Sequence, residues 1–269
     1  YLSGTTFFTL GLGDVVPRTM AGRMTAVVES GLGFGFLALV IGYLPILYQS
    51  FSRREVTISL LDARGGSPPS ASEILRRFGR EENQLALKNI MVEWERWSAE
   101  LLETHLSYPM LVYYRSQHDN QSWLGALTAI LDTCTLCIVA LDKQKTLHAK
   151  LAFAMARHTV TDIAQALRAR PLPVEPDRLP PADLERLLGT LCQSGVPFCG
   201  PAVWGPEAKQ RLSEMRAMYE PYLNGLAQRL LVQLPPWIPA GEAHYNWHTT
   251  AWQRSWDAAN VIDERDDHR

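Results

Sequence analysis

The stretch Thr9-Leu10-Gly11-Leu12-Gly13-Asp14 puts glycine at alternate positions behind a threonine. That spacing suits one kind of chemistry. A cation stripped of water inside a membrane needs replacement oxygen ligands, and backbone carbonyls can supply them if successive ones turn toward a common axis. Such a backbone needs angles that side chains resist, and glycine adopts them without steric cost. The Thr9 hydroxyl can add one more oxygen below the carbonyl rings. One strand lines only one side of an ion, so four copies around an axis would complete each ring. The competing reading is a glycine turn of no chemical consequence.

A loop of this kind must be held by a membrane element. Residues 24–51 are almost wholly apolar, with Glu29 their one charge, and they are flanked by Arg23, Arg53 and Arg54. These 28 residues exceed the roughly 20 that a spanning helix needs. A buried helix of a soluble protein is the alternative. Gly31, Gly33, Gly35 and Gly42 lie inside this run. A dinucleotide loop would need a strand before its glycines and a helix after them, so here they serve close packing or bending.

The combination resembles the pore of potassium channels. Residues 9–14 are similar to the filter signature of that family, and residues 5–8 to the end of the pore helix leading into it. Val15-Val16-Pro17 resembles the outer turn, Gly22-Arg23 the start of the inner helix, and Gly33 stands where the family has a hinge glycine. The resemblance covers residues 1–54. It implies that Thr9, Leu10, Gly11, Leu12 and Gly13 coordinate potassium ions, that Asp14 lies at the outer mouth, that the chain assembles as a homotetramer in a lipid bilayer, and that residues after Arg53 are cytoplasmic. It assigns bending to Gly33, so that Gly33→Ala would shift the open–closed balance and leave selectivity intact. The commonest filter has Val and Tyr where this chain has Leu10 and Leu12, which changes the packing behind the carbonyls. The family's outer helix has no counterpart in this sequence. The chain opens at Tyr1 with no signal peptide, and reads as the carboxyl-terminal part of a longer protein.

Three side chains near the filter have two readings each. Asp14 either attracts cations or hydrogen-bonds the pore helix. Glu29 lies near the outer interface or bonds the pore helix of a neighbouring subunit. Pro45 either kinks the span at a gate, as a second hinge candidate, or marks where the helix leaves the bilayer.

The remainder predicts an all-α fold. Residues 1–54 form the pore loop, filter and inner helix. Residues 55–71 are a linker in which Val56, Ile58 and Leu60 alternate as a short strand before a break at Gly65, Gly66, Pro68 and Pro69. Residues 72–269 form a helical cytoplasmic domain, begun by Ser70 and Glu73 at capping-box spacing. Leu87, Ile90, Met91, Trp94, Leu101 and Leu102 mark one apolar face. Further helices are predicted over residues 122–141, 146–170, 182–193 and 206–233, with a stiff proline linker at 171–181. Residues 122–141 could span a membrane, but Asp132 at their middle favours a buried bundle helix.

Other constellations are weaker. Cys134 and Cys137 form a C-x-x-C within an apolar helical run and read as core residues. Cys192 and Cys199 are not spaced as a second half-site, so the four cysteines suggest a reducing compartment without disulfides. His244 and His248 are four apart, yet they sit among Tyr245 and Trp247 as part of an aromatic cluster. No G-x-S-x-G elbow, phosphate loop or cyclic-nucleotide barrel is visible. The net charge of −2 gives no reason to expect nucleic acid, and no cofactor is implied beyond the transported potassium. The first hypothesis is a potassium-selective channel subunit. The second is a channel-like membrane protein whose helical domain is a sensor or partner-binding module. A membrane-tethered enzyme would need a catalytic cluster that the sequence lacks.

Overall fold

The computed structural model describes residues 1–118, 120–141, 146–173, 176–200 and 202–239. The paired histidines 244 and 248 and the aromatic tail lie outside them. The fold is all-α: among the described residues there are nine α-helices and no strand. The chain divides into two compact units, Tyr1–Ser52 and Arg53–Arg269.

The first unit holds α1, Leu2–Phe7, the loop that follows it, and the first part of α2, Met20–Gly65. The Thr19 hydroxyl accepts from the Gly22 amide at 3.1 Å and caps the start of α2. Apolar side chains then cover the whole circumference, with Val27 73%, Leu32 63% and Phe34 67% exposed. A helix apolar all round requires lipid or neighbouring protein as its solvent. α2 is long and apolar enough to cross a bilayer.

α2 continues through residues where a strand is predicted. Arg54, Ile58, Leu61, Asp62 and Gly65 are buried, while Val56 and Leu60 are exposed. That is a helical face at spacings of four and three, so the expected strand at 55–60 is corrected to helix. Three alternating residues are too few to separate the two periods.

In the second unit Ser70 caps α3, Ala71–Phe78, by accepting from the Glu73 amide. α4, Gln84–Ser107, buries Leu87, Ile90, Met91, Trp94 and Leu101, with Leu102 at the edge of that face. α5, Trp123–Ala140, is the central helix: every residue from Trp123 to Ile138 is buried within the unit. It packs against α6, Leu147–Ala166, and touches α3, α4 and two later helices. A span reading of α5 is thereby replaced by a core reading. α7, Pro181–Gln193, begins on a proline at its first turn. The single helix predicted over 206–233 is two, α8, Pro206–Ala217, and α9, Glu220–Leu230. Pro221 explains the break, because it fits the first turn of a helix and not its interior.

Asp132 lies at the middle of α5 and needs a partner. Arg178 supplies it at 2.7 Å, and the Tyr219 hydroxyl donates to its other oxygen at 2.7 Å. Arg178 also donates to Glu220 at 3.2 Å, and Arg216 to Glu220 at 3.1 Å. Both guanidiniums lie against the Trp237 ring. The proline linker is therefore no free spacer: it delivers Arg178 to the core, and its Leu172 amide donates to the Pro221 carbonyl at 2.9 Å.

A second buried cation, Arg54, donates to the carbonyls of Leu111 at 2.9 Å and Tyr114 at 2.6 Å. Leu111 lies within the single-turn helix Pro109–Tyr113, and Tyr114 directly follows it. The Arg54 guanidinium also lies 3.3 Å from His105 Nε2. An arginine can only donate, so Nε2 is the acceptor, and Nδ1–H donates to the Leu101 carbonyl at 2.8 Å. Burial, and then the Arg54 charge, lower the His105 pKa from 6.5 to about 3.

The cysteine expectation divides. Cys134 and Cys137 are free and buried, with the Cys137 thiol pushed up to about 12 by burial, which suits core residues. Cys192 and Cys199 are joined in a disulfide, which corrects the expectation of four free thiols. Gly195, with φ +77°, turns the chain back from the end of α7 and brings the two together.

Two predictions follow from these buried charges. Asp132→Ala takes the nearer carboxylate from Arg178, leaving it only Glu220, and should cost about 3 kcal/mol of stability, whereas the double change Asp132→Leu/Arg178→Met should recover most of it. Urea unfolding of both variants decides this. His105 has a folded pKa below its unfolded one, so its contribution is fully present above pH 6.5 and is lost as pH falls toward 3. His105→Gln should make the acid-side fall in melting temperature shallower in that window.

Candidate functional site

α1 ends at Phe7, and its last carbonyls hold the loop that follows. Thr5 O accepts from the Leu10 amide at 2.8 Å and the Gly11 amide at 3.3 Å, and Thr6 O accepts from the Thr9 amide at 3.1 Å. The loop therefore folds back on the last turn of the helix before it.

Along the loop, Thr9 has φ +59°, Gly11 +56° and Gly13 +75°, while Leu10 and Leu12 between them stay on the negative side. Gly11 and Gly13 adopt this conformation freely. Thr9 does not: a β-branched residue in the left-handed region is strained by about 1–3 kcal/mol. The alternation of glycines did not announce that Thr9 shares their conformation. The side chains of Leu10 and Leu12 are exposed in the single chain.

Asp14 accepts from the Tyr1 hydroxyl at 2.7 Å. Tyr1 is the residue before α1, so the carboxylate is tied to the start of the same helix whose end holds the loop. Glu29 accepts from the Ser3 hydroxyl. Its partner in the single chain is thus the helix that precedes the loop.

Gly33 has a job that the sequence did not assign. A Cβ there would stand 1.8 Å from the Phe7 carbonyl oxygen and 2.7 Å from its carbon. The Phe7 backbone rests directly on Gly33, and the Phe7 ring lies 6.2 Å from that of Phe36. Glu29, Gly33 and Phe36 follow the i, i+4, i+7 spacing of one helical stripe. That stripe of polar, small and aromatic residues cradles α1, and its spacing was the available signal. Pro45 stands inside the unbroken α2.

Among the described residues no cluster of three metal-ligating side chains occurs. The arrangement is instead a short helix, a loop of alternating handedness and a supporting apolar helix. Residues 1–50 match the family model described as ion channel, so this amino-terminal segment is similar to that family. No curated protein and no solved structure matches the chain.

Gly33→Ala gives a direct check on the cradle. The added methyl cannot fit without moving α1, an overpacking cost of about 1–3 kcal/mol. Because the loop hangs from Thr5, it must move too. If the loop is the filter that the resemblance implies, Gly33→Ala should change the potassium-to-sodium permeability ratio, where the sequence alone expects an effect on gating only. Gly42→Ala, with nothing within 4 Å of the new carbon, should leave the reversal potential unchanged.

Proposed function

We propose that the chain is a subunit of a potassium-selective channel and that Thr9, Leu10, Gly11, Leu12 and Gly13 line its filter. The observation that supports this best is the alternation of φ at Thr9, Gly11 and Gly13. In an ordinary strand, successive carbonyls point to opposite sides. Alternating handedness turns every second peptide plane, which favours carbonyls that share one side. The amides of Thr9, Leu10 and Gly11 are engaged by the last turn of α1, and this reading gives the loop's carbonyl oxygens to a cation.

Four such strands complete the rings, which makes a homotetramer in a bilayer the working assembly. In this reading Asp14 stands at the outer mouth and residues beyond Arg53 are cytoplasmic, an orientation that the positive-inside tendency of Arg53 and Arg64 supports. Discrimination against sodium depends on how firmly the loop resists contraction. Here Leu10 and Leu12 pack by shape alone, where a tyrosine could also hydrogen-bond. Gly33 supports the pore helix in this reading, and Pro45 is the remaining candidate for a bend.

Gly11→Ala tests the filter. Alanine at φ +56° is strained by about 1–3 kcal/mol in every subunit at once. Planar-bilayer recording of the full-length protein, with potassium and sodium on opposite sides, should show lost or unselective current. Unchanged current and selectivity would mean that residues 9–13 are not the filter.

A further inference from the structure

The second unit contains a cavity of about 570 Å³ that the pore reading does not use. Its size lies within the range of small-molecule sites, roughly 300–1,000 Å³. Trp123, Leu231 and Pro235 give it a broad apolar lining, and Arg115 and His118 line it as well. Among its described lining residues there is no Asp or Glu. Arg115 reaches across to the Leu231 carbonyl at 3.4 Å. That distance is at the limit of a hydrogen bond, so a charged acceptor would displace it readily. Ser116, also in the lining, has a buried hydroxyl with no hydrogen-bond partner among the described residues. Such orphaned donors are uncommon in a wall that holds nothing.

The same wall is joined to helix α2. Tyr114 lines the cavity and gives its carbonyl to Arg54 at 2.6 Å. Trp123 donates to the Val112 carbonyl at 3.2 Å, and its ring lies 5.3 Å from that of His105, another neighbour of Arg54. Two short routes therefore run from the cavity to one guanidinium.

We propose that this cavity binds a small organic anion with a planar apolar body, and that its occupancy is passed to Arg54 on α2 through the carbonyls of Leu111 and Tyr114. The aromatic and proline walls take the body of the ligand. Arg115 takes its carboxylate, sulfonate or phosphate, assisted by the Ser116 hydroxyl. A ligand pressing on Tyr114 or Trp123 alters the grip on Arg54. The inference rests on the geometry of the second unit alone. In the pore reading it would make that unit a ligand sensor, since α2 is there the inner helix.

The test uses the full chain in nanodiscs, with empty nanodiscs as blank and naphthalene-2-sulfonate as probe. Calorimetry should show one site per chain. Arg115→Gln should weaken binding at least about tenfold, and Arg115→Lys should keep most of it. Naphthalene-2-sulfonamide, with the same body and no charge, should bind at least about tenfold more weakly and ignore the Arg115 changes. Hydrogen–deuterium exchange then reads the link. The sulfonate should slow exchange over residues 109–116 and also over residues 53–58. In Arg54→Lys the slowing should persist at 109–116 and vanish at 53–58. Absence of binding, or binding indifferent to Arg115→Gln, overturns the site. Protection confined to 109–116 in the wild type overturns the link. None of these readings uses ion current, so failure here and failure of the filter are separate results.

Discussion

A carboxylate at the centre of a helix buried on every side has to be neutralised where it stands. Asp132 is that carboxylate, and Arg178 is the answer to it. The arginine comes from the chain between α6 and α7, so this proline-rich segment is pinned to the core at Arg178 and the buried Leu179. Tyr219 and Glu220, where α8 gives way to α9, complete the cluster. One charge thus specifies where three otherwise independent parts of the second unit meet. A hydrophobic residue at 132 would bury as well, but it would give the linker no reason to choose one position over another. Registry is the best-attested use of a buried ion pair, because its net contribution to stability over an apolar substitute is small.

Elements whose signals are local were legible in the sequence. The Ser70 cap, the apolar face of α4 and the wholly buried α5 each depend on residues within a few turns, and each stands where predicted. The short strand at 55–60 failed because three alternating residues fit either period, and tertiary burial at Arg54, Ile58 and Leu61 decided for helix. The break between α8 and α9 was readable from Pro221, had its place at a first turn been weighed. The disulfide was not readable from spacing alone, since pairing across seven residues requires the turn at Gly195.

The first unit shows a subtler division. Its glycine alternation gave away the unusual backbone, but not that Thr9 would join Gly11 and Gly13 in the left-handed region. Nothing in a threonine's chemistry favours that conformation. The hydrogen bonds from Thr9, Leu10 and Gly11 back to α1 hold the loop in it, and these bonds are set by the shape of the turn. Gly33 was likewise visible as a glycine in a membrane helix, and bending was a fair assignment for it. Only the approach of the Phe7 carbonyl distinguishes a glycine that bends from one that makes room.

The pattern along α2 has the same logic on a larger scale. Up to Ser52 the helix is apolar around its circumference and mostly exposed. From Arg54 it is buried along one stripe, with polar residues and the exposed Val56 and Leu60 on its other faces. An average over the whole helix hides both halves, because one is made for lipid and the other for a bundle. Arg54 is the first residue of the second pattern, and it is buried rather than solvated. It donates to two backbone carbonyls, to Glu55 and toward a neutral histidine. A flanking arginine read from sequence is a charge that stops at a membrane surface. In this fold the same charge is a fastener. That is why its guanidinium, with several donors in one plane, fits the place better than the single ammonium of a lysine.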